Sequence, residues 1–263
     1  MPSDVLLYLL TGSFAGFIAG LLGVGGGLII VPILYFIFAS QGIDQAHLMH
    51  MALATSLATI IVTSISSSLA HHRKHAVLWS IVFLLAPGIC IGAWTGGILA
   101  ASLNTGILKP VFGCFELLVA LHLLSNTRTR EHELSINPVK ATIGGLIIGN
   151  ISAIVGIGGG TLTVPFLHWH KINIRNAIAS SAACGLPIAV FGTASFIYAG
   201  WGINGLPEHN LGYVNLTAFF SIIITSFLFA PLGAKATHMI PERNLKLGFG
   251  VFLLLLSAKM LLG

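Results

Sequence analysis

Two glycine triplets in this chain are suited to holding a small anion with backbone atoms. They are Gly25, Gly26 and Gly27 in the first half of the chain and Gly158, Gly159 and Gly160 in the second. Three consecutive residues without side chains allow a ligand to approach the backbone closely. An apolar run follows each triplet, so each is predicted to start a helix, where free N–H groups carry partial positive charge. These six glycines are therefore predicted substrate-binding residues.

Both triplets belong to a longer motif that occurs twice. Residues 12–32 read GSFAGFIAGLLGVGGGLIIVP, and residues 145–165 read GLIIGNISAIVGIGGGTLTVP. Six glycines and a Val-Pro pair keep a constant offset of 133 residues (145 − 12, 160 − 27 and 165 − 32). Further matches extend to both chain ends, which indicates two copies of one ancestral unit. We predict a first membrane repeat at 1–125, a polar cytoplasmic linker at 126–137 and a second membrane repeat at 138–263.

The composition excludes an ordinary soluble domain. Hydrophobic residues make up 56% of the chain and charged residues 7%, whereas charged residues are about 25% of a typical globular domain. The long apolar runs lack the alternation of barrel strands, which favours membrane-spanning helices. We therefore predict an all-α integral membrane protein that passes through the lipid bilayer several times.

The apolar run at residues 5–39 is interrupted at the first glycine triplet. A continuous helix of this length would measure about 52 Å, whereas the hydrocarbon core is about 30 Å thick. Because each glycine also costs a helix roughly 1 kcal/mol, the run is predicted to turn back at the triplet as a helical hairpin. Two alternatives, a hairpin or a single crossing, can be compared by the positions of the charged residues.

The twelve Lys and Arg residues favour the hairpin. If both glycine motifs form hairpins, ten of the twelve lie on one side of the membrane, whereas single crossings would divide them evenly. By the positive-inside rule, the basic side is the cytoplasm and both termini are outside. Each half then consists of one hairpin and three transmembrane helices, so the two halves are predicted to be inverted repeats. Inverted repeats with broken helices are typical of secondary transporters.

Hydroxyl groups close to the hairpins extend the predicted site. Thr55 and Ser56 follow the first hairpin, and Ser180 and Ser181 follow the second at an offset of 125 residues. Their hydroxyls either donate to a bound anion or bond to carbonyls of their own helix. Glu116 is the one carboxylate deep within an apolar segment. It either couples transport to a proton or pairs with a cation such as Lys259.

The doubled Gly-x-Gly-Gly-Gly motif with its Val-Pro pair, and Ala-x-Ala-Thr-Ser at residues 52–56, resemble the sulfite exporter TauE/SafE family. The resemblance covers essentially the whole chain. It implies a bacterial-type inner (plasma) membrane permease or exporter for sulfur-containing or organic anions such as sulfite, sulfoacetate or related sulfonates. The second copy departs from the pattern, since Ser180 stands where the first copy has Thr55. An asymmetric site is therefore expected.

The main alternative is a membrane-embedded metal-binding or divalent-cation transport protein, for which eleven histidines are available. Loop histidines and a single buried carboxylate are weak support for it. No catalytic triad or ATP-binding motif is recognised, so neither an enzyme nor a primary pump is predicted. The basic residues are attributed to topology rather than to nucleic acid. No cofactor, metal or catalytic residue is predicted, and homo-oligomerisation is left open.

Overall fold

The computed structural model describes residues 2–22, 26–125, 137–236 and 242–263. Most of these residues are helical, and they form one short β-ribbon. The elements are α1 (Pro2–Leu22), α2 (Gly27–Ser40), α3 (Leu48–Arg73), α4 (Trp79–Ser102), α5 (Thr105–Leu124), α6 (Pro138–Val155), α7 (Gly160–Trp169), α8 (Ile174–Gly200), β1 (Asn210–Leu211), β2 (Val214–Asn215), α9 (Leu216–Ala236) and α10 (Glu242–Leu262).

Helix length and composition confirm the predicted membrane fold. Seven helices in the described part of the chain are long and apolar enough to cross a membrane, namely α1, α3, α4, α5, α6, α8 and α9. By contrast, α2 has 14 residues and α7 has 10, and a crossing needs about 20. The fold is therefore all-α and membrane-spanning, and each half contains one short apolar helix that follows a glycine triplet.

Both glycine motifs form hairpins. The Tyr8 hydroxyl, near the start of α1, donates a hydrogen bond of 3.0 Å to the side-chain oxygen of Gln41, which follows the end of α2. A Cβ atom placed on Gly144, near the start of α6, would lie 2.5 Å from the ring of Phe166 near the end of α7. In both cases the second helix runs antiparallel to the first, so the chain reverses direction between α1 and α2 and between α6 and α7.

Corresponding helices of the two halves pack against each other at the centre of the molecule. Along α3 and α8, Leu57 contacts the Gly192 position and Ser64 contacts the Gly185 position, so these helices run antiparallel. Helices α5 and α10 are also antiparallel. An inverted repeat requires such antiparallel pairs. The orientation of the two halves in a membrane stays a prediction.

Glycines outside the triplets allow helices to pack closely, as the four-residue spacing of residues 12 and 16 and of residues 145 and 149 indicates. A Cβ atom on Gly16 would collide with the backbone of Ser226 in α9, and one on Gly149 with the backbone of Ile89 in α4. Helices α1 and α9 are parallel, as are α6 and α4. These two interfaces are equivalent in the two repeats, and close glycine contacts of this kind are typical of membrane helices.

The connection between α8 and α9 is longer than the one between α3 and α4. It contains the β-ribbon, in which Leu211 pairs with Val214. The Tyr213 ring in this connection stacks on the His50 ring near the start of α3, with centroids 4.9 Å apart. Helix α9 begins directly after this ribbon, at Leu216. Beneath the connection, every residue of α3 from Leu48 to Ile60 is buried.

Candidate functional site

Helices α2 and α7 begin without a side-chain cap. The side chain of Asn104 accepts a hydrogen bond from the first turn of α5, Asn137 does so for α6, and Asn173 for α8, whereas α3 and α4 also begin without such a bond. Gly26 and Gly159 occupy the cap positions of α2 and α7 and offer no such group. The N–H groups at these two helix starts are therefore available to a ligand.

The two hairpins meet at their glycines. A Cβ atom on Gly27 would lie 2.7 Å from the carbonyl oxygen of Gly156 and 2.9 Å from the Cα atom of Ile157. Gly156 ends α6 in a left-handed conformation with φ of 70°, which a glycine adopts without strain. The structure thus brings Gly27 of the first predicted triplet against the turn that leads into the second. Gly25 lies outside the described residues.

Ile60, on α3, lies between the two glycine segments. Its side chain would be 3.2 Å from a Cβ atom on Gly27 and 3.3 Å from one on Gly158, and only 2% of it is exposed. No sequence pattern distinguishes this isoleucine, because its contacts come from segments far away in the chain. In the second repeat the equivalent position, at the offset of 125, is Gly185. The side chain of Ile60 therefore occupies space beside the hairpins on the α3 side, whereas the equivalent residue of α8 has no side chain.

Gly26 and Gly159 are equivalent in sequence but not in surroundings. A Cβ atom on Gly26 would meet the end of a flexible side chain, with Ile30 Cδ1 at 2.9 Å. On Gly159 it would lie 2.6 Å from the carbonyl oxygen of Ser181 and 3.0 Å from the backbone nitrogen of Gly185. Close packing against α8 is thus a sufficient reason for glycine at residue 159, and a contact with a ligand is not needed to explain it.

The four predicted hydroxyl residues are all buried. Ser56 donates to the carbonyl oxygen of Gly156 at 2.8 Å, which ties α3 to the turn of the second hairpin. Ser181 donates instead to the carbonyl oxygen of Ile178, one turn back in its own helix, at 2.8 Å. Ser56 and the backbone of Ser181 therefore both contact the second hairpin.

Thr55 and Ser180 have equivalent roles at two helix starts. The Thr55 hydroxyl oxygen accepts from the backbone N–H of Asn215, just before α9, at 3.0 Å. The Ser180 oxygen accepts from the N–H of Leu78, just before α4, also at 3.0 Å. Both residues thus join the central helices to the starts of α9 and α4. Neither hydroxyl proton has an acceptor among the described residues.

Glu116 is fully buried on α5. Neither of its carboxyl oxygens has a hydrogen-bond partner in the part of the chain that the structure describes. The suggested cation, Lys259 of α10, lies instead over the Phe36 ring, with Nζ 4.3 Å from the ring centroid. A carboxylate without a partner is costly in an apolar environment. Glu116 therefore remains the candidate for proton coupling.

The structure adds two threonines that the sequence analysis missed. Thr161 and Thr163 lie in the first turns of α7, and both hydroxyl oxygens are buried without a partner among residues 2–22, 26–125, 137–236 and 242–263. A signal was present in the sequence, because the first repeat has Leu28 and Ile30 at these positions. Alignment of the two copies would have exposed this polar difference.

The groups gathered at the hairpins are mainly hydrogen-bond donors. Backbone N–H groups begin α2 and α7, and hydroxyls lie beside them. Among the described residues, no group of three or more His, Cys, Asp or Glu side chains is arranged to hold a metal ion. Donors in a buried setting can replace the hydration shell of a small anion.

Comparison with known proteins places the chain in a family of membrane transporters. The model of the sulfite exporter TauE/SafE family matches residues 8–260. A probable membrane transporter protein of Haemophilus influenzae is 41% identical over 263 residues, which covers 100% of both chains. A probable membrane transporter protein of Methanocaldococcus jannaschii is 26% identical over 97% of this chain and 95% of its own. The probable membrane transporter protein YunE of Bacillus subtilis is 25% identical over 98% and 97%, respectively.

Proposed function

The chain belongs to the sulfite exporter TauE/SafE family and is a membrane transporter, and on this premise we propose that it is a secondary transporter of small oxyanions. Sulfite, sulfoacetate and related sulfonates are the proposed substrates. The anion binds between the two glycine hairpins, where Gly26, Gly27, Gly158, Gly159 and Gly160 present backbone N–H groups.

One observation carries this proposal: in the interior of a membrane protein, the uncapped start of α2 contacts the turn that leads into the uncapped start of α7. Gly27 contacts the Gly156–Ile157 turn, and Gly158 and Gly159 are buried. Unpaired N–H groups away from water cost free energy, and a bound anion would supply acceptors for them. The two helix dipoles add attraction for negative charge.

The short lengths of α2 and α7, the second helices of the two hairpins, support a site near the middle of the membrane. At 1.5 Å per residue, α2 is about 21 Å long and α7 about 15 Å, compared with a hydrocarbon core of about 30 Å. Hairpins that enter from opposite sides would then meet near the midplane, as in transporters built from inverted repeats. We place the protein in the inner membrane with both termini outside, in accordance with the charge distribution.

A counterflow experiment tests the function directly. Purified protein in liposomes preloaded with unlabelled anion is given the same labelled anion outside, in turn sulfite, sulfoacetate, sulfate, taurine and acetate. We expect labelled sulfite or sulfoacetate to accumulate transiently above its equilibrium level. Protein-free liposomes and liposomes preloaded with Mg²⁺ and assayed for Mg²⁺ exchange are the controls.

Counterflow of Mg²⁺ in the absence of anion counterflow would contradict the proposal and favour a cation transporter. Uptake of sulfite that depends on added ATP would contradict the secondary mechanism alone. Each result therefore identifies which part of the proposal fails.

A further inference from the structure

We propose that the second hairpin supplies most of the donors for the anion, and that Thr161 and Thr163 bind it through their hydroxyls. This inference rests on the proposed function and refines it. It assigns a binding role to two residues at which the two copies of the repeated motif differ, and the ligand is a small oxyanion whose several oxygens each accept hydrogen bonds.

The first support is the backbone at the start of α7. From Gly158 to Leu162, no backbone N–H donates to a backbone carbonyl or side chain of the described residues; the first N–H that does so belongs to Thr163, which bonds to the Gly159 oxygen at 2.9 Å. In α2 the N–H of Ile29, equivalent to Leu162, already bonds to the Gly26 oxygen at 3.0 Å. The start of α7 therefore has a longer run of free backbone N–H groups than the start of α2.

Two buried hydroxyl groups provide independent support. Thr163 has no exposed surface, and neither its hydroxyl oxygen nor that of Thr161 has a hydrogen-bond partner among the described residues. In a helix the Cα–Cβ bond is tilted toward the N-terminus, so both side chains lean toward the glycine end of α7, from different faces of the helix. Threonine in a membrane helix usually bonds to a carbonyl one turn back, as Thr11 does with the Leu7 oxygen at 2.7 Å. A buried hydroxyl that forgoes this bond is available to a ligand.

The first arm offers no comparable side chains. Leu28 and Ile30 hold the positions equivalent to Thr161 and Thr163, and they are 1% and 2% exposed. Helices α2 and α7 follow equivalent glycine triplets. Of the two, α7 carries threonine hydroxyls in its first turns, next to its free N–H groups. The anion is therefore placed closer to the start of α7 than to the start of α2.

The test replaces each hydroxyl with a methyl group in Thr161→Val and Thr163→Val. Affinity is measured by calorimetry with whichever of sulfite, sulfoacetate, sulfate and acetate binds the unmodified protein most tightly. We expect about a tenfold loss of affinity for each variant, because each removes a hydrogen bond to a charged group. We expect Thr163→Ser to restore most of the affinity.

Thermal stability separates binding from structure. Because these hydroxyls have no protein partner, their removal should leave the melting temperature unchanged or higher. Thr11→Val is the matched control: it removes a buried hydroxyl that is already bonded and should leave affinity unchanged. Wild-type affinity in both Thr161→Val and Thr163→Val would overturn this inference while leaving the proposed function intact. Failure of the unmodified protein to bind any of the four anions would overturn both.

Discussion

Helices α2 and α7 start from the same glycine triplet and reach the same Val-Pro pair, yet they present different chemistry. The first arm reads Gly-Leu-Ile-Ile-Val-Pro and the second Gly-Thr-Leu-Thr-Val-Pro. Leu28 and Ile30 are buried apolar side chains, whereas the hydroxyl oxygens of Thr161 and Thr163 are buried without a hydrogen-bond partner in the described part of the chain. A repeated backbone can therefore preserve the geometry of two hairpins while side-chain polarity distinguishes them.

A second difference lies between α5 and α10, which pack against each other. Glu116 of α5 is equivalent to Leu253 of α10 at the offset of 137 residues, and both are fully buried. At this buried position an ionisable group is therefore present in only one of the two helices. Inverted repeats need similar shapes to exchange conformations, whereas a binding or coupling group is needed only once.

The largest expected effect concerns the inversion itself. Single cysteines at Arg73 and Lys171, in a background with Cys90, Cys114 and Cys184 replaced by Ala, should both react with an impermeant maleimide only from the cytoplasmic side. These residues follow α3 and α7, and the predicted hairpins place both on the basic side. Glu208→Cys, in the connection between α8 and α9, should react from the opposite side. Labelling of residues 73 and 171 from different sides would refute the inverted arrangement.

The next effect tests whether Glu116 distinguishes the halves functionally. In Glu116→Gln, stimulation of anion uptake by an imposed pH gradient should be lost, because the variant cannot bind and release a proton. Affinity measured without a gradient should change by less than about twofold, as no interaction with the anion is removed. The control is Glu208→Gln, which alters an exposed acid. Gradient stimulation equal to that of the wild type would leave Glu116 with a structural role only.

Alanine substitution at the cap positions Gly26 and Gly159 should show that the two glycines differ in how closely they are packed. Gly159→Ala should destabilise the protein by about 1–3 kcal/mol, because the new methyl group meets the backbone of α8. Gly26→Ala should have a smaller effect, since it meets only the mobile end of Ile30. Thermal unfolding in detergent, with both variants prepared in parallel, measures the difference. Equal shifts in melting temperature would show that the two caps have equivalent surroundings after all.

The smallest expected difference is between two serines. Ser56→Ala removes a bond to the Gly156 oxygen of the other half and should cost about 1 kcal/mol. Ser181→Ala removes a hydrogen bond within its own helix turn and should lower the free energy of unfolding by only a few tenths of 1 kcal/mol. A comparison of unfolding midpoints in the same detergent is sufficient. A larger effect for Ser181→Ala would indicate that its hydroxyl has a more important partner than Ile178.

Much of the fold could be predicted from the sequence because the relevant signals are local. Apolar runs define the helices, the glycine triplets define the breaks, and the repeated motif identifies corresponding elements. The packing role of Gly16 and Gly149 followed from their four-residue spacing and is confirmed. The linker boundaries at 126–137 stay a prediction, because residues 126–136 lie outside the described part of the chain.

The membership of the site could be predicted only in outline. Thr55, Ser56, Ser180 and Ser181 were selected as one class of hydroxyl donors, but their partners differ. Thr55 and Ser180 accept from helix starts far along the chain, Ser56 bonds across the halves, and Ser181 bonds within its own helix. Whether a hydroxyl is free depends on these distances in space, which residue type and spacing do not specify.

The sequence by itself determined an all-α membrane protein made of two copies, each with a glycine-broken hairpin, because hydropathy and glycine content act along the chain. Only the tertiary structure decided that Gly27 meets Gly156, that Ile60 separates the glycine segments and that Gly159 packs on α8. Those contacts join residues that are distant in sequence, and close packing allows an added methyl group in one place and forbids it in another. For the same reason, only the folded chain shows that the hydroxyls of Thr161 and Thr163, which follow the second triplet in the sequence, have no hydrogen-bond partner among the described residues.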